Sequence, residues 1–478
     1  MKRIISMLLC LTLLASLAAC GGGSGSTGTQ VPGAATTEAP QAAGAFKVGY
    51  AKVDITPTTP VDLWGYAQPA GQRMSTDGYL DYIYLTCVAI TDAEGNTVLM
   101  YGADLGDMEA SVVEKIKPSI AKATGVSAEY MFFNATHTHS APDCENIVPE
   151  LQKAAVKAAE DAIADQKAAE MYFGTATTNA VSFVRHYFEK NGASVTDNHG
   201  NTTNPDLDRH TSEVDREMRV LQFKRDGSKD ILLVNWQCHP HLTGGPQKYS
   251  ISADIVGAMR TELEKEDYLV AYYQGGAGNL NPTSRFADEM INTTNDYKVT
   301  GKHLATAAKE ALTSTTKLNT GAIQVTTETY RARSNKEDLD KVDEAQQVVD
   351  YFKAGHTATE CKPLAESLGL YSYYHANNLL NRGARPDYVD LEISVITFGD
   401  FAWYTMPGEL FDTTTKYIRD NSPYDYNFTA AYTNGYFGYF PSQEAWEYGC
   451  YESDTAPTEP GTAEGFAIRL LEMVAAHE

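Results

Sequence analysis

Short apolar runs alternate with stretches of helical periodicity through most of this chain, and this order constrains the possible folds more than any other feature. Apolar runs of strand character lie at Tyr79–Ile90, Thr97–Ala103, Ile231–Trp236 and Leu391–Tyr404, and helical spacing recurs at Asn146–Lys167 and Asp254–Glu264. Because strands and helices do not sort into separate halves, the pattern predicts a mixed α/β (α+β) fold. No second linker or internal repeat is evident, so the roughly 430 residues of 46–478 are expected to form a single large domain.

The N-terminal segment has the composition of an export signal. Two basic residues precede an apolar stretch, Ile4–Leu14, and small residues then lead to Cys20. This order predicts a lipoprotein signal peptide at residues 1–19, and the apolar stretch is too short for a stable membrane span. The alternative is an ordinary secretory signal with an incidental cysteine. Residues 20–45 are nearly all small or polar and predict a flexible linker. We therefore expect an exported bacterial lipoprotein, anchored to the outer face of a membrane through a lipidated Cys20.

Charge and cysteine content exclude some classes of protein. The chain has 38 basic and 62 acidic residues, a formal net charge of −24. This balance argues against nucleic acid as a partner and against binding to anionic lipids by charge. The five cysteines of residues 46–478 are Cys87, Cys144, Cys238, Cys361 and Cys450. Their odd number and the absence of CxxC spacing argue against a disulfide-built scaffold, although a single bridge of undetermined pairing is compatible with export.

A pair of histidines follows one of the predicted strands. The apolar run Tyr130–Phe133 is followed by Asn-Ala-Thr-His-Thr-His, which places His137 and His139 where a strand gives way to a loop. His-x-His is a common spacing for zinc ligands because imidazole nitrogen suits this ion. The alternative is a pair of hydrogen-bonded histidines at the end of a strand.

Three further stretches carry polar side chains at predicted strand ends. The apolar run ending at Trp236 is followed by His239 and His241, and Glu409 directly follows a Pro-Gly break after another buried run. The third stretch is rich in tyrosine, from Tyr436 to Glu452. Each has a structural alternative, namely a capped strand, a glutamate that complements a helix dipole, and packed tyrosines.

Taken together, these stretches resemble a known family. The segments that carry the resemblance are Gly49–Thr56 with Gly65–Ala67, Ala135–Ser140, Asn235–His239 with Ile251–Asp254, Pro407–Glu409, and Gly438–Glu452. In this order they resemble the N-terminal catalytic domain of neutral (non-lysosomal) ceramidases, and they extend over nearly all of residues 46–478. The resemblance implies a single large catalytic domain that hydrolyses an acyl amide bond.

The resemblance also implies a zinc ion. In the family two histidines, a glutamate and a tyrosine hold the metal, and by motif these fall on His137, His239, Glu409 and Tyr439. The gap before the second histidine is one residue shorter than expected, so His241 remains an alternative to His239. Such a ligand set leaves room for water or substrate, as catalytic zinc requires, and the chain has no clustered cysteines of the kind that build a structural zinc site.

Three more residues match positions near the reacting centre of the family. His139 matches a histidine that is not a zinc ligand, Arg185 matches an arginine that contacts substrate, and Tyr451 matches a tyrosine near the oxygen of the scissile amide. The resemblance therefore implies catalytic roles for these three side chains.

The chain departs from the family at the nucleophile. Gly275 stands at the position of the family's nucleophilic serine, Asn279 stands at that of an aspartate, and Ser284 is nearby but out of register. The sequence also ends without the family's C-terminal β-sandwich. These departures put ceramide hydrolysis in doubt, but they do not affect metal-assisted hydrolysis.

The expected function is a surface-tethered zinc hydrolase that cleaves an amide, or an ester, with metal-activated water. Its substrate would be a small molecule or lipid with an acyl linkage. Two alternatives are a catalytically silent lipoprotein that binds a lipid or glycan, and a true ceramidase with a relocated nucleophile. Loss of the serine disfavours the true ceramidase. Retention of four candidate ligands disfavours the silent lipoprotein, because a binding cleft has little need of an open zinc site.

Overall fold

The computed structural model describes residues 45–66, 71–178, 181–197, 204–244, 248–282 and 296–477. The predicted signal peptide and linker lie outside these ranges, as does Ser284. The strands are β1 (Lys47–Asp54), β2 (Tyr84–Thr91), β3 (Thr97–Ala103), β4 (Met131–Ala135), β5 (Lys167–Thr177), β6 (Ser182–Val184), β7 (His186–Glu189), β8 (Ser194–Thr196), β9 (Leu207–His210), β10 (Glu217–Arg225), β11 (Ile231–Trp236), β12 (Leu269–Gln274), β13 (Leu280–Pro282), β14 (Thr316–Leu318), β15 (Ile323–Arg333), β16 (Tyr388–Phe398), β17 (Phe401–Thr405), β18 (Glu409–Leu410), β19 (Tyr426–Ala430) and β20 (Tyr439–Phe440).

The α-helices in the same ranges are α1 (Ala110–Thr124), α2 (Val148–Ala164), α3 (Asp254–Glu264), α4 (Tyr297–Ala311), α5 (Val342–Lys353), α6 (Ala358–Ser367), α7 (Tyr373–Ala384), α8 (Asp412–Asn421), α9 (Gln443–Tyr448), α10 (Tyr451–Thr455) and α11 (Thr462–Val474). None of these helices combines the length and the apolarity that crossing a membrane requires.

The larger sheet is mostly antiparallel. Its described strands run in the order β12-β11-β10-β5-β1-β2-β3-β4, with β14 also paired to β5. The pairs β11–β12 and β3–β4 are parallel. Successive side chains of a strand point to opposite faces, so in β1 Val48 and Tyr50 belong to one core while Ala51 belongs to another. Both faces of the sheet are therefore covered.

A second sheet packs on one of these faces. Its order is β15-β16-β17-β19, and its inner side chains share a core with the larger sheet. At the centre of this core the ring of Tyr273 from β12 meets the ring of Trp403 from β17 at 4.5 Å, edge to face. Stacked sheets of this kind exclude water from both inner faces.

Helices cover the two outer faces. Helix α2 packs on β1 and β2, α3 packs on β12, and α4 packs on β5 and β10. On the far side, α11 packs on β16 and α8 packs on β19. The described fold is thus a four-layer arrangement of helix, sheet, sheet and helix, and the predicted mixed α/β class is confirmed.

Helices α5–α7 lie between two neighbouring strands in the sequence. They follow β15 and precede β16, which pair with each other along their length. The three helices have a separate small core that includes Val348, Phe352 and Leu379. This segment is a helical insertion in a strand pair.

Several predicted elements need correction at their ends. The run Tyr79–Ile90 becomes a strand only from Tyr84, because the preceding residues are irregular apart from a single bridge between Tyr79 and Ile251, and Tyr79 and Tyr82 are exposed. The run Leu391–Tyr404 is two strands, β16 and β17, joined by a turn at Gly399, whose φ is 65°. The five described cysteines are all free and buried.

Candidate functional site

The site lies where several strands of the two sheets end. His137 comes two residues after β4, His239 three residues after β11, and Glu409 is the first residue of β18. Backbone hydrogen bonds extend the end of β4, since the amide of His137 donates to the carbonyl of Leu105 at 2.9 Å. His137 itself has a φ of 67°, a conformation that turns the chain out of the strand direction.

Backbone carbonyls hold both histidine rings in one tautomer. Nδ1 of His137 lies 2.7 Å from the carbonyl oxygen of Gly106, and Nδ1 of His239 lies 2.8 Å from that of Ala277. Because a carbonyl only accepts, each Nδ1 carries the proton and each Nε2 presents a lone pair. A backbone partner of this kind commonly orients metal-ligating histidines.

Both free nitrogens converge on one carboxylate oxygen. Nε2 of His137 and Nε2 of His239 lie 3.3 and 3.1 Å from Oε2 of Glu409. All three residues are at most 1% exposed, and neither Nε2 atom makes a hydrogen bond. Burial raises the pKa of Glu409, but His137 and His239, when they carry a second proton, lower it by more, so Glu409 is an ionised carboxylate. Burial also lowers the pKa of His239, which favours the neutral ring.

This donor set fits a zinc ion. Ligands about 2.0–2.1 Å from a tetrahedral zinc are separated from one another by roughly 3.3 Å. The separations at Glu409 are 3.3 and 3.1 Å. Three electron-pair donors that face one another without an intervening proton repel, and a cation between them removes this cost. His137, His239 and Glu409 could therefore hold zinc.

Tyrosines surround Glu409. The hydroxyl of Tyr436 donates to Oε1 of Glu409 at 2.5 Å, and that of Tyr432 donates to Oε2 at 3.4 Å. Tyr439, the sequence candidate, pairs with Glu409 in register between β18 and β20, and its hydroxyl accepts from Nη2 of Arg185 at 3.2 Å. Neither Tyr432 nor Tyr436 is a site residue predicted from the sequence, although Tyr436 lies in the tyrosine-rich stretch.

Arg185 is fixed by a buried network. Its Nε donates to Oε1 of Glu452 at 2.6 Å, and its Nη2 donates to the carbonyl of Gly278 at 2.8 Å. The other oxygen of Glu452 lies 2.6 Å from Nε2 of His186. Burial raises the pKa of Glu452, but Arg185 and His186 outweigh it and lower the pKa to about 2. Sequence reasoning missed Glu452 and His186 as partners of Arg185.

His139 lies in an aromatic enclosure beside the two candidate ligands. Its ring centroid is 5.1 Å from that of His137 and 5.1 Å from those of Trp64 and Tyr66. A Cβ at Gly65 would lie 2.6 Å from Cγ of His139, so only glycine permits this approach. Both ring nitrogens of His139 are buried without a hydrogen-bond partner. Burial, followed by the charges of neighbouring histidines, places its pKa well below the usual value.

The remaining sequence candidates lie close by. The ring of His241 is 6.0 Å from that of His239 and 5.9 Å from that of His139, but His239 is the residue that meets Glu409. The ring of Tyr451 is 5.7 Å from that of Tyr439 and 5.9 Å from the guanidinium carbon of Arg185. The fold therefore brings all of the predicted site residues into one region.

Gly275 lies directly after β12 and has no side chain that could attack a substrate. A Cβ placed there would lie 2.9 Å from Oε1 of Gln237, whose amide Nε2 donates to the carbonyl of Asp215. Asn279, at the family's aspartate position, exchanges hydrogen bonds of 2.8 and 3.0 Å with Asp412. These residues are packed as structural groups.

Two solved proteins share the fold of this chain. Neutral ceramidase from Pseudomonas aeruginosa matches with a TM-score of 0.69 and 18% sequence identity, covering 90% of this chain and 74% of that chain. The fold is that of neutral ceramidase. A ceramidase complexed with C2 matches with a TM-score of 0.67 and 17% identity, covering 90% and 75%. No protein-family profile and no curated sequence matches the chain.

Proposed function

We propose that this chain is a zinc-dependent hydrolase that cleaves amide (N-acyl) bonds, with esters as a second substrate class. The observation that carries the proposal is the convergence of the Nε2 atoms of His137 and His239 on Glu409 without a hydrogen bond. The solved proteins of the same fold are ceramidases, which supports a small-molecule or lipid substrate with an acyl linkage.

His137, His239 and Glu409 would hold the metal, and Tyr439 is the candidate for a further ligand. When bound, zinc would activate a water molecule for attack and polarise the acyl oxygen. Tyr436 holds Glu409 in place through its hydrogen bond to the second carboxylate oxygen. The backbone carbonyls of Gly106 and Ala277 do the same for the two histidines.

His139 is suited to act as the general base. Its lowered pKa keeps the ring unprotonated at neutral pH, and both of its nitrogens are free of other partners. It would accept a proton from the attacking water and return that proton to the leaving amine. Trp64 and Tyr66 pack around its ring and limit the access of bulk water.

Arg185 and Tyr451 would orient the acyl group. Arg185 is held by Glu452 and Gly278, so little side-chain freedom remains to be lost when a substrate binds. Burial raises the pKa of the Tyr451 phenol, which stays protonated and can donate to an oxygen that gains charge during the reaction.

Metal analysis combined with a substrate panel tests the proposal. The purified protein should contain about one zinc per chain and should hydrolyse at least one member of a panel of N-acyl amides and acyl esters. His137→Ala and Glu409→Ala should lose both properties, whereas His303→Ala, a half-buried histidine on α4, should keep both. Zinc binding without turnover of any substrate would favour a silent binding protein. Full zinc occupancy in the His137→Ala protein would refute the ligand assignment.

A further inference from the structure

A second group of potential ligands lies at the same edge of the larger sheet. Strands β3 and β4 are parallel, so the loops that follow them meet at one end of the pair. Asp107 comes from the first loop, and Asp143 and Cys144 come from the second. Each of the three offers an atom within 4.8 Å of the other two. Glu109 and Glu145 follow in the same two loops.

One carboxylate oxygen of Asp107 is buried without a hydrogen bond, and ordinary packing does not explain this. Its side chain is 3% exposed, yet its Oδ1 atom has no hydrogen-bond partner. The Cys144 thiol and the Trp64 indole donate hydrogen bonds to the same carboxyl group, and Oδ1 is the oxygen that they leave without a partner. A buried acceptor without a partner destabilises the folded protein, and a bound cation would offset this cost.

The ionisable groups around Asp107 that raise its pKa and that of Glu109 are also acidic, so they repel one another when they are ionised. Burial and then Asp143 raise the pKa of Asp107 to about 6, although Cys144, His137 and Trp64 oppose the shift. Burial and then Asp107, Glu145 and Asp143 raise the pKa of Glu109 to about 8. Among the described residues, no lysine or arginine pairs with any of these carboxylates. The N-terminus of α1, which follows Glu109, supplies only about half a positive charge.

The potential metal ligands in this cluster suit a hard cation. Carboxylates outnumber the single thiol of Cys144, and its sulfur already accepts from the amide of Glu109 at 3.5 Å. Carboxylate oxygens remain, and these suit calcium or magnesium better than zinc. Asp143 still has one carboxylate oxygen for this purpose, because only Oδ1 accepts from the amide of Glu145.

We propose that Asp107 and Asp143, with Glu109 and Glu145 at the rim, bind a hard divalent cation such as calcium. This site does not depend on the proposed hydrolase activity and uses none of its candidate ligands. It lies next to that centre, because Asp107 follows Gly106, whose carbonyl fixes the ring of His137. A cation here would hold the loop that orients His137.

Calcium binding to the purified full chain tests the proposal. Equilibrium dialysis with radioactive calcium and thermal unfolding with and without calcium chloride, at matched ionic strength, are the two measurements. We expect about one calcium per chain and a higher melting temperature with calcium. Asp107→Asn with Asp143→Asn should weaken calcium binding by at least about tenfold. Glu160→Gln, an exposed carboxylate on α2, is the matched control and should bind as the wild type does.

Two single variants distinguish loss of calcium binding from misfolding and from loss of zinc. Glu145→Gln alters an exposed rim carboxylate, so it should fold normally and weaken calcium binding several-fold. His137→Ala should still bind calcium, which separates this site from the zinc proposal. No calcium binding by the wild type, or equal binding by the Asp107→Asn and Asp143→Asn double variant, would overturn the inference. Zinc bound at Asp107 and Asp143 in preference to calcium would also overturn it.

Discussion

His137 Nε2 and Glu409 Oε2 lie 3.3 Å apart without a hydrogen bond, although they come from opposite halves of the sequence. His137 follows β4 of the larger sheet, and Glu409 opens β18 after the second sheet. The site therefore depends on how the two sheets stack. A metal bound by both residues would join the sheets, so we expect zinc to stabilise the protein against unfolding in addition to supporting catalysis.

Tyr436 should tune the affinity for zinc. Its hydroxyl donates to Oε1 of Glu409 at 2.5 Å, so Tyr436→Phe removes a group that orients this carboxylate. We expect zinc affinity to fall by about 10–100-fold, as for other partners of metal ligands. Competition with a chelating dye measures this change. Tyr417→Phe, an exposed tyrosine on α8, is the matched control, and equal zinc affinity in both variants would contradict the role of Tyr436.

His139 should matter for turnover more than for metal. We expect His139→Gln to keep most of its zinc and to lose about 10²–10⁴-fold in kcat, because the proton acceptor is gone. Zinc content and steady-state kinetics on the same preparation separate the two effects. A His139→Gln protein without zinc would instead make His139 a ligand, and unchanged kcat would remove it from the mechanism.

The candidate zinc ligands can be predicted from the sequence, but the residues that contact them cannot. His137, His239 and Glu409 could be found because each comes two to four residues after a buried strand, and strand ends collect at the edges of sheets. The contact of Tyr436 with Glu409 could not be found, because it depends on the path of a loop between β19 and β20. The same limit applies to the hydrogen bond between Arg185, which lies between β6 and β7, and Glu452 of α10, because these elements are far apart in the sequence.

Continuous apolar runs also conceal turns. The run Leu391–Tyr404 is buried along nearly its whole length in both β16 and β17, so periodicity alone does not show the turn at Gly399. Gly399 permits the turn because its φ is 65°, and a Cβ there would lie 1.9 Å from the carbonyl oxygen of Asn319. The local signal for this turn is the pair Gly399-Asp400, a two-residue hairpin loop that interrupts the apolar run.

Glu452 should link stability to pH. The residue is fully buried between Arg185 and His186, and its pKa falls from 4.5 to about 2. A carboxyl with a lowered folded-state pKa contributes stability above its unfolded pKa, and this contribution is lost as the pH falls from about 4.5 to about 2. Glu452→Gln should cost about 3–5 kcal/mol at neutral pH because Arg185 is left buried without its partner.

Urea unfolding at several pH values measures this effect. The difference in unfolding free energy between the wild type and Glu452→Gln should shrink as the solution becomes more acidic. Glu447→Gln, an exposed glutamate on α9, should differ little from the wild type at any pH. A difference that stays constant between pH 6 and about 2.5 would show that the pKa of Glu452 is the same in the folded and unfolded protein, which contradicts the lowered pKa.

The N-terminus of the mature protein should be a lipid-modified Cys20. The small residues before Cys20 and the apolar stretch before them predict cleavage at this point. Mass spectrometry of the protein isolated from membranes of the source bacterium should find an N-terminal peptide that carries acyl chains, and Cys20→Ser should release the protein from the membrane fraction. An unmodified N-terminus at another position would contradict the prediction.

The nucleophile should be water and not a side chain. Gly275 has no side chain, and the nearest polar group to its missing Cβ is the amide of Gln237, which has no nucleophilic role. A covalent acyl-enzyme should therefore not accumulate. A serine-directed fluorophosphonate should leave hydrolysis intact, while a zinc chelator should abolish it and added zinc should restore it. Labelling of Ser284 with a matching loss of turnover would favour a relocated serine. If turnover survives the chelator, the metal has no part in the reaction, and His139 with Arg185 would have to act alone.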